Sequence, residues 1–323
     1  MDSRGSLDRP LVTIVCPVFN EERSVGLFYE RFTNALARIE EKVRYELLFV
    51  NNRSTDRTLE IIKGLAARDP RVNHITLSRN FGYQASITAG MRSARGDCVV
   101  NIDVDCEDPP ELIPQFIERW LAGADIAYGI RHQREEFVLM HWARKLFYRL
   151  TRKLADHEII LDMAEFFLVD KRVRDYVLSS RSTFPFVRGQ VGYVGFTREG
   201  IPYKRERRIA GETHYNIWGA IRFGAAGILS SSTLTLRLLA YVGLFVFPLD
   251  VIAAVALVVA GRGWPPVDLQ RYLHAIVLVH LGWIVLGIGA LGLYLARLYK
   301  DSVGLPLYIV DERNSSYREL THG

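Results

Sequence analysis

The sequence predicts an α/β protein whose mostly parallel sheet is covered by helices on both faces and is followed by two transmembrane helices. Short apolar runs that favour strands alternate with helical patterns up to residue 130, which is typical of such a sheet. Two long apolar stretches follow, at residues 238–260 and 272–298. A chain of 323 residues is long enough for one domain of this kind and a membrane appendage.

The strands and helices can be placed in order from the apolar runs and the residues that end them. Strand patterns occur at residues 11–16, 45–50, 72–77, 98–102 and 126–130. Helical patterns lie between them, from Asn20 to about 39, from a cap at Thr55 or Asp56 to about 67, over 81–94 and over 109–121. The last pattern has proline near its start, where a missing N–H is tolerated.

Polar loops follow three of the predicted strands. In a parallel sheet the carboxyl ends of the strands meet at one edge, where ligands bind. We therefore expect residues 17–21, 51–56 and 103–107 to form one crevice. Asp103 and Asp105 suit a hard divalent cation that takes its other ligands from phosphate and water. No predicted strand is followed by G-x-G-x-x-G or by G-x-x-x-x-G-K-[ST], which argues against a dinucleotide oxidoreductase and a P-loop ATPase.

Each apolar stretch exceeds the ~20 residues that a helix needs to cross ~30 Å of hydrocarbon. Two buried core helices are the alternative, and Asp250 within the first stretch indicates function, pairing or a displaced helix start. The predicted organisation is a cytoplasmic α/β domain at 1–213, a juxtamembrane amphipathic segment at 214–232, two helices within 233–300 (about 236–260 and 272–298) and a cytoplasmic tail at 301–323. An ordinary surface helix is the alternative for 214–232.

The charge pattern bears on orientation and partners. The polar amino-terminal residues show no signal-peptide pattern, so we expect both ends on one side of the membrane. Arg222 and Arg237 lie before the first span, and Arg297 and Lys300 lie at the end of the second. Because positive charge favours the cytoplasmic side of a membrane, we expect both ends of the chain in the cytoplasm. The net charge of +5 suits anionic lipid head groups, and we expect no nucleic-acid partner. The three cysteines are interpreted as buried residues in a reducing compartment: Cys16, Cys98 and Cys106.

Several motifs resemble those of a known family. The runs P-V-F-N-E at 17–21, V-N-N-R-S-T-D at 50–56 and R-N-F-G at 79–82 resemble the opening motifs of family 2 glycosyltransferases of the GT-A fold. D-V-D-C-E-D-P-P-E-L-I at 103–113 is similar to the D-x-D-x-Q-D-P-P-E motif of polyprenyl-phosphate glycosyltransferases, such as dolichyl-phosphate mannose synthase and bacterial undecaprenyl-phosphate sugar transferases. Residues 203–215 resemble Y-x-R-x-x-R-x-A-G-E-S-K-Y of that group, and 305–310 resemble its R-P-x-Y-I-V ending.

The resemblance implies an enzyme that moves a sugar from a nucleotide-sugar donor to the phosphate of a polyprenyl phosphate, with inversion. UDP-hexose is the favoured donor and GDP-mannose the next. The implied cofactor is Mg²⁺ or Mn²⁺. The product would be a lipid-linked sugar for cell-envelope glycosylation, made by a homo-oligomer at the cytoplasmic face of the bacterial inner membrane.

The resemblance also implies roles for individual residues. The catalytic set is Asp103, Asp105 and Glu165, and the metal ligands are Asp103, Asp105 and Glu107. The donor-binding residues are Pro17, Phe19, Glu21, Asn52, Arg79 and Asp103. The acceptor-phosphate ligands are Arg131, Arg144 and Arg205. Some of these assignments have alternatives. Glu107 can instead serve as helix N-terminal charge, and Glu165 as the neighbour of an arginine. Any one of the three arginines can instead be a solvated surface residue.

The chain departs from the family pattern at several positions. It has Asn52-Arg53 where D-D-G-S or N-D-G-S is usual, Glu107 in place of glutamine, E-F-F-L at 165–168 in place of D-F-R-L, and His214 in place of lysine. These changes are interpreted as drift within an active subfamily, with altered donor choice or an inactive relative as alternatives. Two other functions stay open: a family 2 transferase that acts on a glycolipid or polysaccharide, and a non-catalytic membrane scaffold.

Overall fold

A computed structural model describes residues 9–132, 163–180, 185–209 and 269–316, together with scattered residues between 237 and 256. Within them lies one seven-stranded sheet in the order β3-β2-β1-β4-β6-β5-β7. Its strands are β1 Leu11–Val18, β2 Arg44–Asn51, β3 Val72–Thr76, β4 Cys98–Asn101, β5 Ile126–His132, β6 Met163–Asp170 and β7 Arg198–Lys204.

The α-helices of the described residues, other than the last one, pack on the sheet. They are α1 Val25–Leu36, α2 Thr58–Ala66, α3 Tyr83–Ser93, α4 Ile113–Leu121, α5 Lys171–Leu178, α6 Val187–Tyr193 and α7 Leu269–Val303. Short 3₁₀ turns lie at Ala37–Ile39, Pro110–Leu112 and Glu312–Asn314. The five strands and four helices predicted up to residue 130 are all present, with shifted ends.

The pairing of the strands sets the position of the site. β1 pairs in parallel with β2 and β4, and β2 pairs in parallel with β3, so the carboxyl ends of these strands meet at one edge. β6 runs antiparallel to both β4 and β5, and β7 is parallel to β5. The prediction of a mostly parallel sheet is therefore confirmed, with β6 as the exception. Because Asn101 pairs with Phe167, the start of β6 lies beside the loop that follows β4.

Apolar side chains fill both faces of the sheet. Phe28 and Phe32 of α1 pack with Phe49 of β2 in the core on one face. Along each strand, successive side chains alternate between the two faces. Phe166 lies in this core and Phe167 in the core on the opposite face. Strands buried on both faces need apolar residues in succession, which explains the continuous apolar runs of the sequence. The three cysteines are buried and form no disulfide with one another, as the sequence predicts.

Two helices begin later than the sequence pattern predicts. Asn20 has φ 55°, in the left-handed region, so the chain turns there and α1 starts only at Val25. The backbone N–H of Glu21 donates to Thr58 Oγ1 at 2.8 Å, which fixes this turn against the start of α2. The predicted helix at 81–94 starts at Tyr83 for a similar reason, since the glycine before it has φ 93°.

The helix α7 has 35 residues, and its segment Val277–Val303 has a mean hydropathy of 2.0 and no buried residues in its most apolar window. Among the described residues it is the one helix long and apolar enough to cross a membrane. It contains the predicted second span, 272–298, and extends beyond it at both ends. The other membrane predictions lie largely or wholly outside the described residues: the first span at 236–260, the segment at 214–232 and Asp250.

We expect Gly90→Ala to destabilise the protein. A Cβ at Gly90 of α3 would lie 2.2 Å from Val15 Cγ1 and 2.9 Å from Val50 Cγ2, so the helix must move away from β1 and β2. Overpacking of this kind lowers the free energy of unfolding by about 1–3 kcal/mol. Thermal unfolding in detergent, followed by circular dichroism, should show a lower Tm.

The matched control for this substitution is Gly64→Ala on α2. A Cβ at Gly64 meets nothing within 4 Å, so alanine should leave stability unchanged or raise it by up to about 1 kcal/mol through helix propensity. A Tm for Gly90→Ala that equals or exceeds that of Gly64→Ala would show that α3 does not pack on the sheet as described.

Candidate active site

The three polar loops predicted to form a crevice come together at the carboxyl edge of the sheet. The N–H of Asn20, after β1, donates to Ser54 Oγ, after β2, at 3.0 Å. Arg208 connects the first loop to the third, because its Nη2 donates to Glu21 Oε1 at 2.7 Å and lies 3.5 Å from Asp105 Oδ2. The convergence predicted from the strand pattern is therefore confirmed.

Asp103 follows β4 and is partly buried. Tyr83 Oη donates a hydrogen bond of 2.7 Å to its Oδ1. Burial, together with the nearby Asp105 carboxylate, raises the pKa of Asp103 to about 8, and the Tyr83 hydrogen bond opposes this rise. Without a bound cation, Asp103 therefore holds a proton at neutral pH.

The other two predicted metal ligands have partners of their own. Asp105 Oδ1 accepts a hydrogen bond of 3.0 Å from the N–H of Glu107, which closes a tight turn. The Glu107 side chain forms an ion pair with Arg205 Nη2. Burial and the Asp105 charge raise the pKa of Glu107, whereas Arg205 and Arg208 lower it. The loop thus concentrates negative charge that arginines only partly offset.

The donor set of this loop fits a hard divalent cation. Carboxylate oxygens are the ligands that Mg²⁺ and Mn²⁺ prefer, and Asp103 and Asp105 belong to the one loop that follows β4. In the part of the chain that the structure describes, no group of three or more His, Cys, Asp or Glu side chains is arranged to hold a metal ion. A cation held by Asp103 and Asp105 would thus take its remaining ligands from substrate phosphates and water.

Arg131 lies at the end of β5 and is held firmly. Its Nη2 donates to Asp108 Oδ2 at 3.1 Å and its Nε to Tyr203 Oη at 3.2 Å. Tyr203 Oη in turn donates to Asp108 Oδ1, and Asp108 is only 2% exposed. The orientation of this guanidinium is therefore set by the fold. Arg144, the second predicted acceptor-phosphate ligand, lies outside the described residues.

The loop that follows β7 lies across the loop that holds the predicted metal ligands. The N–H of Glu206 donates to the Glu107 carbonyl at 2.9 Å, and the N–H of Ile209 donates to the Asp105 carbonyl at 3.1 Å. Arg205, the third predicted acceptor-phosphate ligand, is thereby held beside Glu107. Two of the three predicted arginines thus border the same carboxylate cluster.

Glu165 lies near the start of β6. Its Oε1 accepts a hydrogen bond of 3.5 Å from Gln84 Nε2 and lies 4.0 Å from Arg188 Nε. Burial raises the pKa of Glu165, and Arg188 opposes this rise. Among the described residues its Oε2 is buried without a hydrogen-bond partner. Because Tyr83 holds Asp103 and the next residue, Gln84, contacts Glu165, two adjacent residues of α3 position two carboxyl groups.

Asn52 and Arg79 lie at the side of the crevice formed by β2 and β3. Asn52 is 5% exposed; its Nδ2 donates to Asn80 Oδ1 at 3.0 Å and its Oδ1 accepts from the N–H of Phe81 at 2.9 Å. Arg79 places its guanidinium carbon 3.9 Å from the Phe81 ring centroid. Asn52 therefore orients the loop before α3, and its contact with a nucleobase stays a prediction.

The remaining predicted donor residues follow one another at the end of β1. Pro17 is buried in the strand, and Phe19 is partly exposed directly after it. Glu21 is 8% exposed and accepts hydrogen bonds of 2.7 Å from Ser24 Oγ and from Arg208 Nη2. All three lie at the crevice, but only Glu21 offers it a charge.

The structure adds five residues to those predicted. Asp108 and Arg208 occur within the quoted motifs, so a signal for them was present in the sequence. Tyr83, Gln84 and Arg188 had none, because their positions depend on how α3 packs against β1 and β2 and how α6 packs against β6. Helix packing of this kind cannot be read from local sequence.

Comparison with known proteins identifies the family. A model of the family "Glycosyl transferase family 2" matches residues 13–177. The uncharacterized glycosyltransferase YkcC of Bacillus subtilis is 36% identical, with 93% of each chain covered. The prophage bactoprenol glucosyl transferase homolog of Escherichia coli is 34% identical over 93% of this chain and 98% of its own.

A solved structure aligns with most of the chain. The mannosyltransferase PcManGT from Pyrobaculum calidifontis, in complex with GDP-Man and Mn²⁺, gives a TM-score of 0.48 at 16% identity and covers 91% of this chain and 86% of its own. The family match spans the crevice loops from β1 to the end of β6. On the strength of that match and of relatives similar over nearly its whole length, the chain belongs to glycosyltransferase family 2, with the GT-A fold.

Proposed function

We propose that this protein transfers a sugar from a nucleotide-sugar donor to the phosphate of a polyprenyl phosphate, with inversion at the anomeric carbon. The observation that carries the proposal is the pairing of carboxylates with arginines in one crevice, typified by Arg208 between Glu21 and Asp105. Carboxylates suit a cation bound to a diphosphate, and arginines suit phosphate oxygens. The relatives named bactoprenol glucosyl transferases support a polyprenyl lipid as acceptor and glucose as the transferred sugar.

Asp103 and Asp105 are proposed to hold Mg²⁺ or Mn²⁺. Glu107 is proposed as a further oxygen donor, which requires its side chain to leave the ion pair with Arg205 and move towards the cation. When bound, the cation would stabilise the charge that develops on the departing diphosphate. Arg208 is placed to add a second positive charge, because it already reaches Asp105 from the loop after β7. Charge that is fixed in place before the reaction is usually the largest catalytic contribution.

The acceptor makes small demands on acid–base chemistry. A phosphate monoester has a second pKa near ~6 and is largely ionised at neutral pH, so its oxygen attacks without a strong general base. Alignment then dominates, and well-aligned reactants reach effective molarities of ~10⁵ M or more. Arg131 and Arg205, together with Arg144, are proposed to grip the acceptor phosphate. The rigid hold of Asp108 and Tyr203 on Arg131 supports this role.

Glu165 is proposed as a catalytic carboxylate that faces the sugar. Its buried Oε2 has no hydrogen-bond partner among the described residues, and a donor hydroxyl would supply one. Its negative charge would also favour the positive character that develops at an anomeric carbon during transfer. Gln84 and Arg188 hold the other oxygen, so Oε2 is the atom left for substrate.

The helix α7 and the lipid acceptor support membrane attachment. We propose two spans, with the catalytic domain and both ends in the cytoplasm of a bacterium and the lipid phosphate presented at the inner membrane surface. A homo-oligomer is part of the same proposal. UDP-hexose is the proposed donor, ahead of GDP-mannose.

The Asp103 carboxyl lowers the free energy of unfolding at neutral pH, because its burial disfavours the ionised form. Its pKa rises from 3.8 to about 8 on folding, so the folded state becomes less stable relative to the unfolded state as pH rises from about 4 to 8. One pKa unit corresponds to about 1.4 kcal/mol. In EDTA, we expect Asp103→Asn to raise the free energy of unfolding at pH 7.5 by at least about 1 kcal/mol.

The pH dependence of this gain distinguishes it from a general packing effect. The wild-type carboxyl is protonated in both states only below its unfolded pKa of 3.8, so the gain should become steadily smaller as the pH falls towards that value. Asp105→Asn is the control, since it removes a carboxylate that faces Arg208 and should bring no such gain. Thermal unfolding at pH 4.5 and 7.5 would contradict the prediction if Asp103→Asn gained equally at both.

The proposed reaction can be tested directly. Purified protein in detergent is incubated with undecaprenyl phosphate, Mg²⁺ or Mn²⁺, and UDP-glucose, other UDP-hexoses or GDP-mannose, and lipid products are measured by mass spectrometry. We expect a hexosyl-phosphate lipid that disappears with EDTA and falls by at least about 10²-fold in rate for Asp105→Asn. Lys42→Gln, which removes an exposed ion pair with Glu118, is the control and should keep full activity.

Three outcomes would change the proposal. A product that forms equally in EDTA would remove the metal. Sugar transferred to a glycolipid or polysaccharide and never to the lipid phosphate would replace the acceptor. Nucleotide-sugar binding without any transfer would favour the non-catalytic scaffold.

A further inference from the structure

The outer edge of the sheet is covered by the segment that follows α7. We call residues 305–316 the tail. It runs along β3, where the N–H of Ser78 donates to the Ile309 carbonyl at 2.8 Å and the N–H of Asp311 donates to the Thr76 carbonyl at 2.7 Å. An edge strand left uncovered exposes unpaired N–H and C=O groups, so these bonds satisfy β3.

Side chains strengthen the attachment of the tail. Ser315 Oγ accepts a hydrogen bond of 2.9 Å from the N–H of Thr76, and Ser316 Oγ accepts one of 2.9 Å from the N–H of His74. Tyr308 is 8% exposed and belongs to the hydrophobic core. The tail is therefore an integral part of the catalytic domain.

Asp311 reaches from the tail to the loop that follows β2. Its Oδ2 accepts hydrogen bonds from Asn314 Nδ2 at 2.9 Å and from Arg53 Nη1 at 3.2 Å. Asn314 thus holds the carboxylate, and the carboxylate holds the guanidinium. The two charged residues are 258 positions apart in the chain.

Arg53 has an unusual backbone for a residue with a long side chain. Its φ is 62°, in the left-handed region that favours glycine. It directly follows Asn52, which orients the loop before α3 at the donor side of the crevice. Strained backbone conformations of this kind concentrate at functional sites. The loop that carries Arg53 is one of the three that form the crevice, and its guanidinium reaches Asp311 of the tail.

We infer that Asp311 is a positioning residue for the donor: it holds Arg53 where its guanidinium contacts the nucleoside diphosphate. The tail that follows α7 is therefore part of the donor site. This inference rests on the proposed function, because it takes the crevice to bind a nucleotide sugar. The ion pair between Arg53 and Asp311 is partly exposed, and such pairs contribute little to stability. We therefore expect the pair to determine where the Arg53 guanidinium lies, with little effect on the free energy of unfolding.

A double-mutant cycle tests the inference. We would compare wild type, Asp311→Asn, Arg53→Gln and the double variant for Kd of UDP with Mn²⁺ and for KM and kcat with UDP-glucose. Each single substitution should weaken UDP binding and raise KM by about two- to fivefold, with kcat within about twofold. The double variant should bind no more weakly than Arg53→Gln, because Asp311 acts through Arg53.

A purely structural role for the pair predicts a different pattern. It would lower Tm and leave KM unchanged, whereas we expect an unchanged Tm. Glu60→Gln is the matched control: it removes an exposed ion pair of 3.1 Å with Arg57 on neighbouring α2 and should alter neither Kd nor KM. Unchanged affinity in Asp311→Asn, or effects of the two substitutions that add in the double variant, would overturn the inference.

The same measurements separate this inference from the proposed function. If wild type transfers glucose and the single variants match it in affinity, the inference alone fails. If wild type binds UDP but transfers no sugar, the proposed function fails and the cycle still decides the role of Asp311. Wild type that binds neither UDP nor GDP would overturn both.

Discussion

The crowding of carboxyl groups at one edge of the sheet is the constraint on which the rest of the site depends. A buried carboxylate is costly unless a cation or hydrogen-bond donors accompany it. Among the described residues, arginines from β5 and from the loop after β7, at the far side of the sheet, pair with all of the clustered carboxyl groups except that of Asp103. The carboxyl groups involved are those of Glu21, Asp103, Asp105, Glu107 and Asp108.

This constraint explains why the chain returns across the crevice after β7. The strand ends at the edge of the sheet, beyond β5, and the following residues must cross back to bring Arg205 and Arg208 to the loop after β4. Within the part of the chain that the structure describes, Asp103 has no arginine partner. A proton and the Tyr83 hydrogen bond take that place, so Asp103 is the carboxyl group most ready to exchange its proton for a cation.

The same arrangement links binding to a change of partners. In the structure, Arg205 pairs with Glu107, and Arg208 pairs with Glu21 and Asp105. A diphosphate with its cation brings both signs of charge, so it can pair with the arginines and satisfy the carboxylates at once. Little net charge then has to be buried when the substrate binds, although each group exchanges its partner.

The sequence could predict those parts of the fold that depend on local pattern. The alternation of strands and helices, and the loops that meet at the carboxyl edge, follow from periodicity and from strand direction. The late start of α1 could not be foreseen, because it follows from the left-handed Asn20 and its attachment to α2. The positions of Gln84 and Arg188 beside Glu165 likewise depend on the packing of separate helices.

The link between Arg53 and Asp311 lies furthest from local prediction, and it constrains how the enzyme meets the membrane. From Val303, where α7 ends, to Asp311 the chain can extend by at most about 28 Å. Asp311, which contacts Arg53 at the donor side of the crevice, therefore lies within about 28 Å of the end of the apolar helix. On the proposed function, an acceptor phosphate at the membrane surface and a donor beside Arg53 would be kept close by this short segment, which is hydrogen-bonded to β3.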